Sequence, residues 1–182
     1  MATTSLVTIE DLFEIPDDEY QRDLIRGELL IMSPTGGRHG EVTSEIASVL
    51  RNFIKPRSLG RVYSNDAGFV LARNPDSMLG PDVAFVAADR LPPEDERFGL
   101  LALAPDLVVE VVSPSDRMSV VMAKVTTYLD AGVRMVVVVE PRRRTMTVYL
   151  PGGNASLLRE DDMLDGGDVL PGFRVRVGDL FE

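Results

Sequence analysis

The sequence predicts an α/β fold in which a mixed β-sheet is flanked by helices, with additional antiparallel hairpins at its margins. Apolar runs of strand length, such as "LVVEVV" and "MVVVVE", dominate the middle and the end of the chain. Two longer segments instead repeat their apolar residues at helical spacing. Turn residues separate several neighbouring runs, which is typical of hairpins. A sheet covered by a few helices accommodates all three observations.

The elements of the first third of the chain follow from caps, turns and periodicity. "TIEDLFEI" predicts a short helix capped by Thr8, because acidic residues occupy its first turn. "RDLIRGELLIMSP" predicts a hairpin around Arg26-Gly27. Apolar residues at helical spacing predict a long helix from Arg38 to about Ile54, which Pro56 stops.

The remaining elements alternate between strands and one further helix. "RVYSNDAGFVLAR" predicts two short strands and "GPDVAFVA" a third, while "DRLPPEDERFGLLALAP" reads as a loop. "DLVVEVV" predicts a buried strand, followed by a helix over roughly 116–131 with Gly132 at its C-terminal cap. "RMVVVVE" and "TMTVYL" predict a hairpin across residues 141–144. Two or three weaker strands follow, with "LPGF" as a turn.

Length, composition and charge limit the possible functions. The 182 residues are predicted to form a single domain over residues 1–182 that can bury a core. The absence of cysteine excludes disulfides and thiolate metal sites, and we expect a cytoplasmic protein. No apolar run approaches a membrane span, so no membrane partner is expected. The net charge of −10 argues against passive adhesion to nucleic acid.

Glu110 is the most informative residue of the buried strand "PDLVVEVVSPSDR". Strand alternation places Leu107, Val109 and Val111 on one face and Val108, Glu110 and Val112 on the other. Both faces are apolar around the carboxylate, so neither is the solvent side. An acid in such a position requires a partner.

Lys124 is a candidate for that partner. In the helix after Glu110, Lys124 falls within an apolar stripe that points toward the sheet: Val121, Val125, Tyr128 and Leu129. Only two of the 19 basic residues are lysines, and one occupies this core-facing position. Lysine can lose its proton when desolvated or act as a compact charge, which hints at chemistry. The alternative is a lysine whose stem packs while its ammonium reaches water.

Asp82, in "LGPDVAFV", is a second candidate acid at the start of a strand. Carboxylates on neighbouring strands can hold a hard cation such as Mg²⁺, and the backbone carbonyl of Val111 would be a natural third oxygen ligand. A cation there would explain an ionised Glu110. Alternatively, Glu110 pairs with Lys124 in a buried salt bridge without catalytic use. The residues alone leave both interpretations open.

These motifs resemble the Uma-type branch of the PD-(D/E)XK nuclease superfamily. The resemblance rests on "GPD", on the 28-residue step from Asp82 to Glu110, on "AKVTTYLDAGVRMVVVVEP", and on similar segments at both ends of the chain. It implies a restriction-endonuclease-like fold in which Asp82 and Glu110 bind Mg²⁺, with Mn²⁺ able to substitute. The superfamily pattern places a lysine two residues after the glutamate, where this chain has Val112. The branch is similar in supplying its lysine from the following helix, at the position of Lys124, to orient or deprotonate the attacking water.

Two further residues are auxiliary candidates. His39 opens the first long helix, and the resemblance includes a histidine here that could touch phosphate, although a helix-start hydrogen bond explains it equally well. Glu45 fits the apolar stripe of the same helix and is therefore expected to point inward, toward the metal. Two basic clusters could contact DNA or simply be solvated: residues 142–144, and Arg51, Lys55, Arg57 and Arg61.

The first functional hypothesis is a Mg²⁺-dependent endonuclease acting on DNA, with Asp82, Glu110 and Lys124 as its catalytic residues. The acidic net charge then requires a local basic patch or a partner protein that targets the DNA. The second hypothesis is a catalytically inactive nuclease-fold module that acts as a dimeric binding or scaffold protein. A homodimer is expected in either case, because pairing would cover exposed strand edges.

Overall fold

Six strands form the main sheet, in the spatial order β10-β9-β8-β7-β6-β3. Their bounds in chain order are Gly60–Ser64 (β3), Val83–Ala87 (β6), Leu107–Val111 (β7), Met135–Glu140 (β8), Thr145–Leu150 (β9) and Asn154–Leu158 (β10). The strands β7 and β8 are parallel, and every other neighbouring pair is antiparallel. The predicted mixed sheet is therefore confirmed.

Among the described residues, three α-helices accompany the sheet: Ile9–Glu14 (α1), Gly37–Ile54 (α2) and Met118–Asp130 (α3). The connection between parallel strands needs a crossover, and α3 supplies it between β7 and β8. α1 has the predicted cap, since the Thr8 hydroxyl accepts from the Asp11 N–H. α2 ends at Ile54, and Pro56 lies in a short 3₁₀ turn immediately after it.

The strand β7 is buried on both faces, as its sequence predicts. Leu107, Val109 and Val111 pack in the larger apolar core beneath α2. Val108 packs in the core beneath α3, with Val121, Val125 and Tyr128 among its members. The strand alternation therefore places Glu110 on the α3 side of the sheet, where the side chains of that helix can reach it.

A second sheet of four strands carries the N-terminal hairpin, in the order β2-β1-β5-β4. Its bounds are Gln21–Ile25 (β1), Glu28–Met32 (β2), Phe69–Ala72 (β4) and Ser77–Leu79 (β5). The predicted hairpin turn is present, with Arg26 and Gly27 at φ 50° and 80°. The strand β5 was not predicted, because its three residues, between a turn on either side, are too few to show a strand pattern. It pairs with β1 through Leu24 and Met78.

Two short strands, Met163–Asp165 (β11) and Arg174–Arg176 (β12), form a third sheet near the C-terminus. The computed structural model describes residues 6–16, 20–32, 34–64 and 67–182. Ser33, at the end of the predicted hairpin, and residues 65–66, between the two strands predicted in residues 61–73, lie outside this range. In the part of the chain that is described, no helix is both long and apolar enough to cross a membrane.

Candidate active site

A pocket of about 350 Å³ lies where the hairpin sheet, the main sheet and α3 meet. Residues from separate elements line it, including His39, Asp82, Glu110, Val111 and Lys124. The sequence-predicted acids and lysine are therefore in one concavity. Glu45 is absent from it, since its side chain is exposed to solvent. The expectation that Glu45 points inward is wrong.

Asp82 lies immediately before β6 and is held at both carboxylate oxygens. Its Oδ2 accepts the backbone N–H of Val111 at 2.7 Å. Its Oδ1 lies 3.2 Å from Nε2 of His39. The Asp82 side chain remains 22% exposed, so this carboxylate is the part of the cluster that faces the open side of the pocket.

Glu110 is buried beneath α3 with a protein partner at each carboxylate oxygen. The hydroxyl of Tyr128 donates to Oε1 at 2.7 Å, and the ammonium of Lys124 lies 3.4 Å from Oε2. Burial, with smaller contributions from the charges of Asp82 and Asp23, raises the pKa of Glu110 to about 7 against the lowering effects of Lys124 and Tyr128. Glu110 is thus poised to exchange a proton near neutral pH.

Lys124 is only 3% exposed, so the interpretation of a lysine that reaches water is wrong. Its ammonium lies 2.6 Å from Oδ2 of Asp23, in a buried ion pair. Burial alone would lower the pKa of Lys124, but the charges of Glu110 and Asp23 outweigh it and hold the pKa above its usual range. Lys124 is therefore a buried, charged ammonium.

Two residues of the cluster, Asp23 and Tyr128, escaped the sequence analysis. Asp23 is fully buried in β1 and accepts the Gly80 N–H at 2.8 Å, so it joins the "GPD" turn to Lys124. The sequence offered one hint, an acid inside a strand whose next residue is a core leucine. Tyr128 was read as part of the apolar stripe, which is true of its ring but not of its hydroxyl.

His39 lines the edge of the same pocket, at the N-terminal turn of α2. It is buried and contacts Asp82, and its side chain also hydrogen-bonds the backbone of Val111. Burial lowers the pKa of His39, but the hydrogen bond and charge of Asp82 overcome that effect and leave the pKa above its ordinary value. The structure therefore brings His39 to Asp82.

The cluster contains more negative charge than its ammonium offsets. Asp23 and Glu110 pair with Lys124, Asp82 lies in the same pocket, and the charges of Asp82 and Asp23 add to burial, the largest cause, in raising the pKa of Glu110. Among residues 6–16, 20–32, 34–64 and 67–182, no three acidic or histidine side chains are arranged to hold a metal by themselves. Two carboxylates and a carbonyl nevertheless suit Mg²⁺, which keeps several waters. Asp82, Glu110 and Val111 therefore fit a divalent cation chemically.

The fold is shared with a solved structure from Anabaena variabilis ATCC 29413, described as a "putative nuclease belonging to DUF820". The likeness covers 96% of this chain and 97% of that chain, with a TM-score of 0.84 and 23% sequence identity. It establishes the class of the fold, a mixed α/β sheet with antiparallel additions.

The family can also be stated. The chain belongs to the Uma2 family, described as "Putative restriction endonuclease", whose model matches residues 9–178. A search of curated proteins finds no significant match to this chain. The fold and the family together support a nuclease-like function.

Proposed function

We propose that this protein is a metal-dependent endonuclease that hydrolyses phosphodiester bonds in DNA. One observation carries the proposal: Asp82, Glu110 and Lys124 come from three separate elements and line one pocket. A structural role would require only that each group find some partner. Their convergence in one pocket is what a catalytic site requires.

Asp82 and Glu110, with the backbone carbonyl of Val111, would hold Mg²⁺, and Mn²⁺ would substitute for it. When bound, such a cation supplies a water of lowered pKa and a positive charge against the phosphate oxygens. Tyr128 and Asp23 support this set of residues. Tyr128 fixes one oxygen of Glu110, and Asp23 anchors the turn that precedes Asp82 through the N–H of Gly80.

Lys124 would orient the attacking water and offset negative charge on the phosphate in the transition state. Its raised pKa favours this charged role over that of a general base. In the reaction the water oxygen bonds to phosphorus, one P–O ester bond breaks, and the leaving oxygen takes a proton. Because Lys124 is held between Asp23 and Glu110, its ammonium is positioned before substrate arrives.

The decisive experiment measures cleavage of supercoiled and linear DNA with Mg²⁺ or Mn²⁺. The variants are Asp82→Ala, Glu110→Ala and Lys124→Ala, and Glu45→Ala is the matched control because its carboxylate is exposed outside the pocket. We expect nicking by the wild type and by Glu45→Ala, and its loss in the other three. Inert wild type with both metals and both substrates would overturn the proposal.

The three variants need a test of folding, because unpairing buried charges costs about 3–5 kcal/mol. Circular dichroism identifies variants that are unfolded at the assay temperature. Calorimetric titration with Mn²⁺ then gives a second measurement on the folded ones. We expect Asp82→Ala to lose Mn²⁺ binding and Glu45→Ala to keep it. Equal binding by the two would refute the assigned metal ligands.

One observation favours the second candidate, a catalytically inactive dimeric scaffold. Both oxygens of Glu110 already have protein partners, as a purely structural network requires. In that case pairing through the exposed edge strand β10 would form the homodimer. Sedimentation would then show a dimer while the wild type cleaves no DNA. Cleavage lost specifically in Asp82→Ala excludes this candidate.

A further inference from the structure

A larger groove, of about 880 Å³, lies between α2 and the edge strand β3. Small or hydrogen-bonding residues at helical spacing line its α2 wall: Gly40, Ser44, Ser48, Arg51 and Lys55. Arg61 contributes from β3. The groove is thus walled by donors of hydrogen bonds and by small side chains that allow close approach.

The charge of this groove is opposite to that of the whole protein. Arg51, Lys55 and Arg61 line it, and no acidic residue does so among the described residues. The chain as a whole has 29 acidic and 19 basic residues. Glu45, on the neighbouring face of α2, is exposed but does not line the groove. A positive concavity on so acidic a protein is suited to an anionic partner.

The cations of the groove are also unengaged, in contrast to the other basic cluster. In the described part of the chain, Arg51, Lys55 and Arg61 form no ion pair, and Arg61 bonds only its neighbouring Gly60 carbonyl. At the β8–β9 turn, Arg143 pairs with Glu140 and Arg144 with Glu160. The sequence makes both basic clusters candidate DNA contacts. Among the described residues, however, the cations of the groove are outside ion pairs, whereas Arg143 and Arg144 are paired with acids.

The groove begins beside the candidate active site. Gly40, at one end, follows His39 in α2. Ser64, also in the groove, is paired with Val83, the residue after Asp82. From Gly40 to Lys55 the helix rises by about 22 Å. Each strand of duplex DNA carries one phosphate per about 3.4 Å of helix axis, and its phosphates lie further apart along the winding backbone, so this length accommodates several phosphates.

We infer that this groove binds the phosphate backbone of one DNA strand and leads it to the pocket that contains Asp82. The inference rests on the proposed function and adds the path of the substrate to it. Its contacts are hydroxyl, guanidinium and ammonium groups, which bind phosphates without reading bases. Binding through the groove is therefore independent of DNA sequence and strongly dependent on salt.

The test compares two triple variants that remove the same positive charge. One is Arg51→Ala with Lys55→Ala and Arg61→Ala. The control is Arg142→Ala with Arg143→Ala and Arg159→Ala, exposed residues toward the opposite edge of the sheet. Fluorescence anisotropy measures binding to a labelled duplex of about 20 base pairs, without divalent cation, between about 50 and 200 mM salt.

Each phosphate contact makes the negative slope of log affinity against log salt steeper by about 0.9. Loss of three contacts should therefore reduce the slope by about 2.7, so that affinity falls about 40-fold less across this range than in the wild type. The control should keep the wild-type slope. A variant with Arg51→Lys and Arg61→Lys, which retains all three charges, should also keep it.

The outcomes separate this inference from the proposed function. Equal slopes for the two triple variants overturn the groove, even if wild type cleaves DNA. A lowered slope confined to the groove variant supports the groove, even if no condition gives cleavage. Wild type that binds no DNA, or a groove variant whose only change is its oligomeric state, overturns the inference in favour of a protein partner at the β3 edge.

Discussion

Replacing Tyr128 with phenylalanine isolates one buried hydrogen bond of the candidate site. The hydroxyl donates to Oε1 of Glu110 at 2.7 Å, and both residues are buried. The ring is retained, so the variant removes an oxygen without opening a large cavity. A hydrogen bond to a charged group contributes about 1.5–3 kcal/mol, against about 1 kcal/mol for a neutral pair. The cost should therefore depend on whether Glu110 is ionised.

The pH dependence has a definite sign. The Tyr128 hydroxyl lowers the pKa of Glu110, so it stabilises the charged form of a carboxyl whose pKa is about 7. Its contribution is full above pH 7 and reduced below. We expect Tyr128→Phe to lower the free energy of unfolding by about 3 kcal/mol at alkaline pH and by about 1 kcal/mol at acidic pH. For a chain of this size the larger value lowers Tm by about 6–12 °C.

The matched control is Tyr149→Phe. The Tyr149 hydroxyl is half-buried and lies 3.4 Å from the sulfur of Met122, a weak acceptor. Its loss should cost well under about 1 kcal/mol at either pH. Urea unfolding followed by circular dichroism measures all three proteins, with the slope m checked for equality. A Tyr128→Phe cost equal to that of the control, or one independent of pH, would refute this description of Glu110.

Three further predictions concern the same region. Asp23→Asn should cost about 3 kcal/mol in urea unfolding at neutral pH, the low end for a broken buried pair because Lys124 keeps Glu110 as a partner; a cost near zero would contradict the ion pair. Since burial raises the pKa of Glu110 from 4.5 to about 7, the contribution of Glu110 to the free energy of unfolding should fall by about 3 kcal/mol as pH rises across that interval. Glu110→Gln should lack this contribution to the pH dependence of urea unfolding. A pH profile equal to that of the wild type would contradict the raised pKa of Glu110. Gly27→Ala should lower the free energy of unfolding by at least about 1 kcal/mol, and Tm with it, because φ is 80° and a Cβ would lie 2.6 Å from Leu6; an unaltered melting curve would exclude this strain.

The sequence predicts those parts of the fold that local patterns encode. The alternation of β7 and the helical spacing of α3 place Glu110 and Lys124 on facing surfaces, and the structure agrees. β5 is too short to carry a pattern, and it forms because β1 and β4 pair with it from either side. Tertiary pairing of this kind is outside the reach of a local window.

The candidate site likewise combines residues that local patterns predict with residues that only tertiary contacts bring together. Asp23 reaches Lys124 only because the hairpin sheet packs beside α3, a contact between residues 101 positions apart in the chain. Glu45 was misplaced because it lies about 100° around α2 from the centre of the buried stripe, at 100° per residue. The stripe is marked by Val42, Ile46 and Leu50, and Glu45 falls outside it. The position of Glu45 next to Ile46 in the sequence therefore did not indicate which face of α2 carries its side chain.

The two lysines of the chain differ completely in accessibility. Lys124 is 3% exposed and held between carboxylates, whereas Lys55 is exposed in the groove beside β3. A reagent that acylates exposed amines will therefore modify Lys55 while sparing Lys124. A fluorophore or crosslinker can in this way be attached to a lysine at the far end of the groove without engineering a cysteine, since the chain has none. If added DNA protects the amine of Lys55 from acylation, a mass spectrum would report directly that the groove is occupied.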